Sequence, residues 1–143
     1  MNLIAYLSYF VLHMATPNWQ TYKTTPEVDV FYRAEQCHDA ANGTHREYIL
    51  LKFVNKTDKK VQVSWQLESY QDNVCTTCNK DEYKYSIDLA PNQTLEADCS
   101  SAARELKIFV KHLDLPNPKT FTKFELGNLA TSVILSTHTN PRF

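Results

Sequence analysis

The sequence predicts an all-β protein, an antiparallel Ig-like β-sandwich of about seven to eight strands. Three observations carry this. Short apolar runs alternate with polar residues at period two, as strands buried on one face require. Turn residues separate these runs at intervals of roughly ten residues, the spacing of sandwich folds. Only two glycines, against eight tyrosines and seven phenylalanines, tilt the composition toward strands.

Each element follows in order. Residues 28–34 form the first alternating run. Residues 47–54 (EYILLKFV) are apolar on both faces, the pattern of a central strand. In 61–68, Val61, Val63, Trp65 and Leu67 share one face, with Gln62, Ser64, Gln66 and Glu68 opposite. Residues 83–89 repeat the device, with Tyr83, Tyr85, Ile87 and Leu89 inward. Segments 95–99, 106–113 and 121–126 complete the set. Asn42-Gly43, residues 55–58 and Pro91-Asn92 supply turns. Gly127-Asn128 makes either a final hairpin, with 129–135 as another strand, or a bulge. A single helical turn is expected over 100–105.

A chain of 143 residues fits one domain, 17–143, with a signal peptide or N-terminal apolar segment expected at 1–16. The run at 3–14 (LIAYLSYFVLHM) is too short to span a bilayer and has the length of a signal-peptide core, although no Lys or Arg precedes it. No transmembrane segment is expected. A net charge of −1 with scattered basic residues excludes the basic footprint that nucleic acid requires. The expected location is therefore secreted or periplasmic.

If successive strands reverse, loops 38–45, 71–82 and 100–104 lie at one end, here the upper, and 56–60, 90–93 and 114–120 at the other. Cys37, Cys75, Cys78 and Cys99 then gather at the upper end. An even count in an exported chain favours disulfides, with three connectivities open. Cys75 and Cys78 lie within reach across a turn, which slightly favours that local bridge and leaves Cys37 with Cys99. The alternatives are a structural zinc held by all four thiolates, or a redox dithiol at Cys75-Thr-Thr-Cys78. Paired C-x-x-C motifs would mark zinc, and a following helix would mark redox chemistry; neither is present.

Other chemistry is sparse. His38 and His45 flank the Asn42-Gly43 turn beside Asp39, and are expected to solvate it rather than to bind metal. His13, His112 and His138 have no evident partner. Ser100 and Ser101 follow a strand without a nucleophile elbow and are expected to cap a turn. Glu35, Glu47, Glu68, Asp72, Asp81 and Glu82 offer no spacing that selects a carboxylate pair. No catalytic residue, cofactor or metal is expected, so the protein is expected not to be an enzyme. Trp19 and Tyr22 are the aromatic residues left for a sugar platform, although packing is the role expected of both. Sequons at Asn42, Asn55 and Asn92 all fall at turns.

The stretches 28–37 (VDVFYRAEQC), 47–55 (EYILLKFVN), 63–65 (VSW), 74–78 (VCTTC), 89–96 (LAPNQTLE) and 99–101 (CSS) carry a resemblance. Together they look like small exported Ig-like β-sandwich proteins of Bacteroidetes-type bacteria, over roughly residues 19–130. The resemblance implies the fold and export, and no activity. The expected function is a non-catalytic binding or structural module at the cell envelope, stabilised by disulfides, with a protein or glycan partner. Zinc or redox function at the cysteine end and carbohydrate binding are the alternatives.

Overall fold

The computed structural model describes residues 18–135; the apolar run at 3–14, His13 and His138 lie outside the described residues. Nine strands form two antiparallel sheets. The first sheet runs β1 (Gln20–Thr24), β2 (Val28–Asp39), β3 (Thr44–Asn55), with two short strands sharing its far edge. These are β7 (Thr94–Glu96), beside the lower half of β3, and β8 (Lys107–His112), beside the upper half. In the second sheet β4 (Lys60–Gln71) is central, with β9 (Phe121–Ile134) on one side. On its other side lie β6 (Lys84–Leu89) and the two-residue β5 (Val74–Cys75).

Alternation in the sequence becomes the two faces of each sheet. Val28, Val30, Leu51, Phe53, Val61, Val63, Leu67 and Leu89 are buried between the layers. Trp65, 3% exposed, stacks on Phe53 with ring centroids 5.1 Å apart, tying the two central strands together. β3 is apolar on both faces for a visible reason. Leu51 faces the other sheet and Leu50 faces away, yet both are 0% exposed. Leu50 is covered because the chain leaves β7 at Ala97, crosses the outside of β3 and is fastened there by the Cys37–Cys99 disulfide.

That crossing corrects the alternating-strand expectation. β7 and β8 both run antiparallel to β3, so both rise, whereas segment 106–113 was expected to descend. Cys99 ends no strand either. Asp98 gathers the backbone of Ser100 and the hydroxyls of Ser100 and Ser101, bending the chain off the sheet without reversing it. A 3-10 turn at Arg104–Leu106 stands where a helical turn was expected over 100–105, and then feeds β8. The loop after β8 therefore lies at the upper end, where Leu113 N–H bonds His45 C=O, rather than at the lower. β9 then descends as one strand. Its irregularity opposite Ser64 and Gln66 is a bulge, with Asn128 at φ 52°. With so few glycines, the left-handed positions fall largely to Asn: Asn73, Asn79, Asn92 and Asn128 all have positive φ. β1 and β5 were not expected, being mostly polar or only two residues long.

At the lower end Asn55 is 1% exposed and locks two turns together. Its amide donates to Lys59 C=O and Ala90 C=O, while its oxygen accepts from Thr57 N–H and Oγ1. Glycosylation at Asn55 would destroy these bonds, so this sequon is structural. Asn42 and Asn92 are exposed.

Candidate functional site

The two long edges of the sandwich differ. Along the β1–β9 edge, Tyr22 sits at a bulge of β1 and closes the gap. Its ring stacks on Phe124 at 5.6 Å, and Tyr32 meets the same ring edge-on. The Tyr22 hydroxyl accepts from Leu126 N–H and donates to the Glu125 carboxylate, at 2.9 and 2.8 Å. Further down, Thr131 Oγ1 donates to Glu27.

The opposite edge is open. There the sheets part into a cleft of about 380 Å³ between β8 and the β5–β6 segment. Its wall includes Tyr48, Tyr83, Tyr85 and Phe109, together with Arg104 and Lys107. Among the described residues no Asp or Glu lines it. Lys107 lies over the Tyr48 ring at 4.4 Å and donates to Cys99 C=O at 3.0 Å, so the outer bridge positions this cation. Burial raises the Tyr85 hydroxyl above its usual range, while the Arg104 charge pulls it back. Among the described residues neither Arg104 nor Lys107 has a carboxylate partner.

The inner wall depends on the Cys75–Cys78 segment. β6 pairs with β4 only up to Gln66, and β5 only from Tyr70. Thr77 fills the gap with its side chain: Oγ1 accepts from Ser69 N–H at 2.8 Å and donates to Leu67 C=O at 2.7 Å. The buried amide of Gln66 donates to Thr77 C=O and Lys80 C=O, holding the same loop. A hydroxyl thus continues the strand ladder where backbone is missing. Thr76 and Thr77 line the cleft.

The structure places the expected site residues as follows. Cys37 pairs with Cys99 and Cys75 with Cys78, leaving no free cysteine among the described residues. The zinc alternative is corrected by this: its four thiolates are consumed in two bridges on different sheets. The cysteines share no cluster; one bridge lies outside the first sheet, the other in an upper loop of the second. Trp19 and Tyr22 are not brought together. Trp19 lies on the outer face of the first sheet, with Arg33 and Lys52 each 4.9 Å from its ring, and its indole N–H donates to Glu96. Tyr22 closes the β1–β9 edge instead, so they form no shared sugar platform.

The carboxylates are largely engaged. Glu35 pairs with Arg33, Glu47 with Lys111 and Asp81 with Lys84, and Asp72 accepts from Thr120 N–H. Glu68 faces Glu125 across β4 and β9. Ser100 and Ser101 are turn residues: their bonds hold the Asp98 carboxyl below the usual range. His38 and His45 stand directly opposite one another on β2 and β3. Asp39 does not reach toward them but binds Asn42 through its backbone N–H and its amide, which lowers the Asp39 carboxyl.

Fold and site together define a class: a disulfide-bonded, two-sheet antiparallel β-sandwich with one closed edge and one open, cation-bearing edge cleft. Comparison with family models, curated proteins and solved structures found no match to this chain. Among the described residues no helix is long and apolar enough to cross a membrane.

Proposed function

We propose that the protein is an exported, non-catalytic binding module of the cell envelope whose edge cleft takes a small anionic ring compound, such as the acidic end of a glycan. The observation that carries this reading is the composition of the cleft. Aromatic rings stack on the apolar faces of sugar rings, while Arg104 and Lys107, with no acid among the lining residues, favour a carboxylate or sulfate. A volume of about 380 Å³ suits a small ligand. Export is supported by the two disulfides, which persist in oxidising compartments, and by the signal-like run at 3–14. Kinship with exported Ig-like sandwiches of Bacteroidetes-type bacteria belongs to the same proposal and rests on the stretches quoted above.

The test is calorimetric titration of the protein with uronate- or sulfate-bearing oligosaccharides and their neutral counterparts. Acidic ligands bind and neutral ones do not, and Arg104→Ala or Lys107→Ala abolishes binding while leaving the melting temperature in place. Equal binding of both sugar classes overturns the charge argument; no binding of either overturns the cleft. Fractionation of the native host, with N-terminal sequencing of the recovered protein, tests export separately.

A further inference from the structure

The tip of the β2–β3 hairpin carries a feature independent of the cleft. His38 and His45 are direct cross-strand partners, and their Nδ1 atoms lie 2.8 Å apart, with ring centroids at 5.1 Å. One ring donates and the other accepts, so a single proton is shared between two converging nitrogens. Two imidazoles held this close without a carboxylate between them are a ready-made pair of metal ligands.

We propose that His38 and His45 form a surface chelate for a divalent transition metal, copper(II) in first place: the donor ring gives up its Nδ1 proton and takes one at Nε2, so that both neutral rings turn an Nδ1 lone pair toward the ion beside them. Two nitrogens bound at about 2.0 Å and at right angles are separated by about 2.8 Å, the cis arrangement of tetragonal copper(II) or nickel(II), so the pair at 2.8 Å meets that spacing by turning the rings without parting the strands. A tetrahedral ion such as zinc spreads the same pair to about 3.3 Å. Copper(II) also heads the affinity order for nitrogen ligands. The remaining positions would be filled by water, since His38 is exposed and His45 half-buried at the hairpin tip.

The tip is rigid before any metal arrives. Asp39 accepts from the backbone and side chain of Asn42, and Gly43, at φ +63°, donates to Ala40 C=O. These bonds close the four-residue connection and fix the two strands in register up to His38 and His45. A pre-ordered pair loses little freedom on binding, which is what gives a two-ligand site useful affinity. Asp39 contributes charge nearby without competing for a coordination position.

The full-length protein is titrated with copper(II) and followed by calorimetry, visible absorption and electron paramagnetic resonance. The expected result is one equivalent bound, with nitrogen hyperfine structure in the spectrum. His38→Ala and His45→Ala each weaken binding by roughly tenfold or more, the scale of losing one ligand of a chelate. His112→Ala and His138→Ala leave it unchanged. The His38 and His45 side chains stand at the strand ends beside the hairpin tip, and circular dichroism with intact-mass analysis verifies that each variant retains its fold and disulfides. Absence of stoichiometric binding overturns the proposal. So does binding that survives both single substitutions, or that depends on only one of the two histidines.

Discussion

The two edges of the sandwich are built from the same kinds of residue, yet one is sealed and the other open. At β1–β9, Tyr22, Tyr32 and Phe124 pack on one another, and the Tyr22 hydroxyl meets β9 backbone. At the β8 edge, Tyr48, Tyr83, Tyr85 and Phe109 line a gap instead of filling it. The difference lies in the backbone. β1 and β9 approach closely enough for a phenol to span them, whereas β5 is two residues long and β8 begins only after the outer crossing. Aromatic content alone therefore does not tell core from cleft; the distance between the strands that carry it does.

Paired truncations give the largest contrast. Phe124→Ala should cost about 3 kcal/mol, as for an aromatic removed from a packed contact, whereas Phe109→Ala, 37% exposed at the open edge, should change stability by about 0.5 kcal/mol or less. Chemical denaturation of the two variants measures both. Equal losses would show that the open edge is load-sharing core. Thr77→Val comes next, at about 2 kcal/mol, because it orphans Ser69 N–H in a buried wall and leaves Leu67 C=O with only the Gln66 amide. Amide exchange should accelerate at Ser69 first and leave β9 protected.

Tyr22→Phe is the smallest change, about 1 kcal/mol, and it carries a pH signature. Burial raises the Tyr22 hydroxyl above the ordinary 10.0, opposed by the Leu126 N–H and reinforced by Glu125. A raised folded value means the neutral phenol stabilises the fold below pH 10.0, and that this contribution fades as pH climbs through 10.0 toward the folded value. Alkaline melting curves should therefore steepen for the wild type relative to Tyr22→Phe. Parallel curves would mean that the closed edge does not depend on the phenol.

Much of the fold was legible in the residues. Period-two patterning in β4 and β6, and two-faced apolarity in β3, follow directly from burial, and Pro91-Asn92 marks its turn. The Cys75–Cys78 and Cys37–Cys99 pairing matches the arrangement slightly favoured by spacing. Direction was harder. The residues that bend the chain at 98–103 look the same whether it reverses or steps over a sheet, so counting strands misplaced the loop after β8. The cleft was not legible: Tyr48, Tyr83, Arg104 and Phe109 are separated in sequence and meet only because β8 and β6 edge their respective sheets. Nor does a Thr between two cysteines announce that its hydroxyl will stand in for a strand. Turn preference accounts for the N-x-T at Asn55, but the pattern carries no information about its burial.

Both disulfides act within a layer. Cys37–Cys99 ties β2 to a segment riding on its own sheet, and Cys75–Cys78 closes a loop belonging to the other. The layers are joined covalently only through the polypeptide itself, like the leaves of a book held at spine and corners. Such a body can spread along its unsealed side without straining any sulfur bond. An oxidising environment would then stiffen each leaf, while the stack of Phe53 on Trp65 and the shared core, not sulfur, hold the two together.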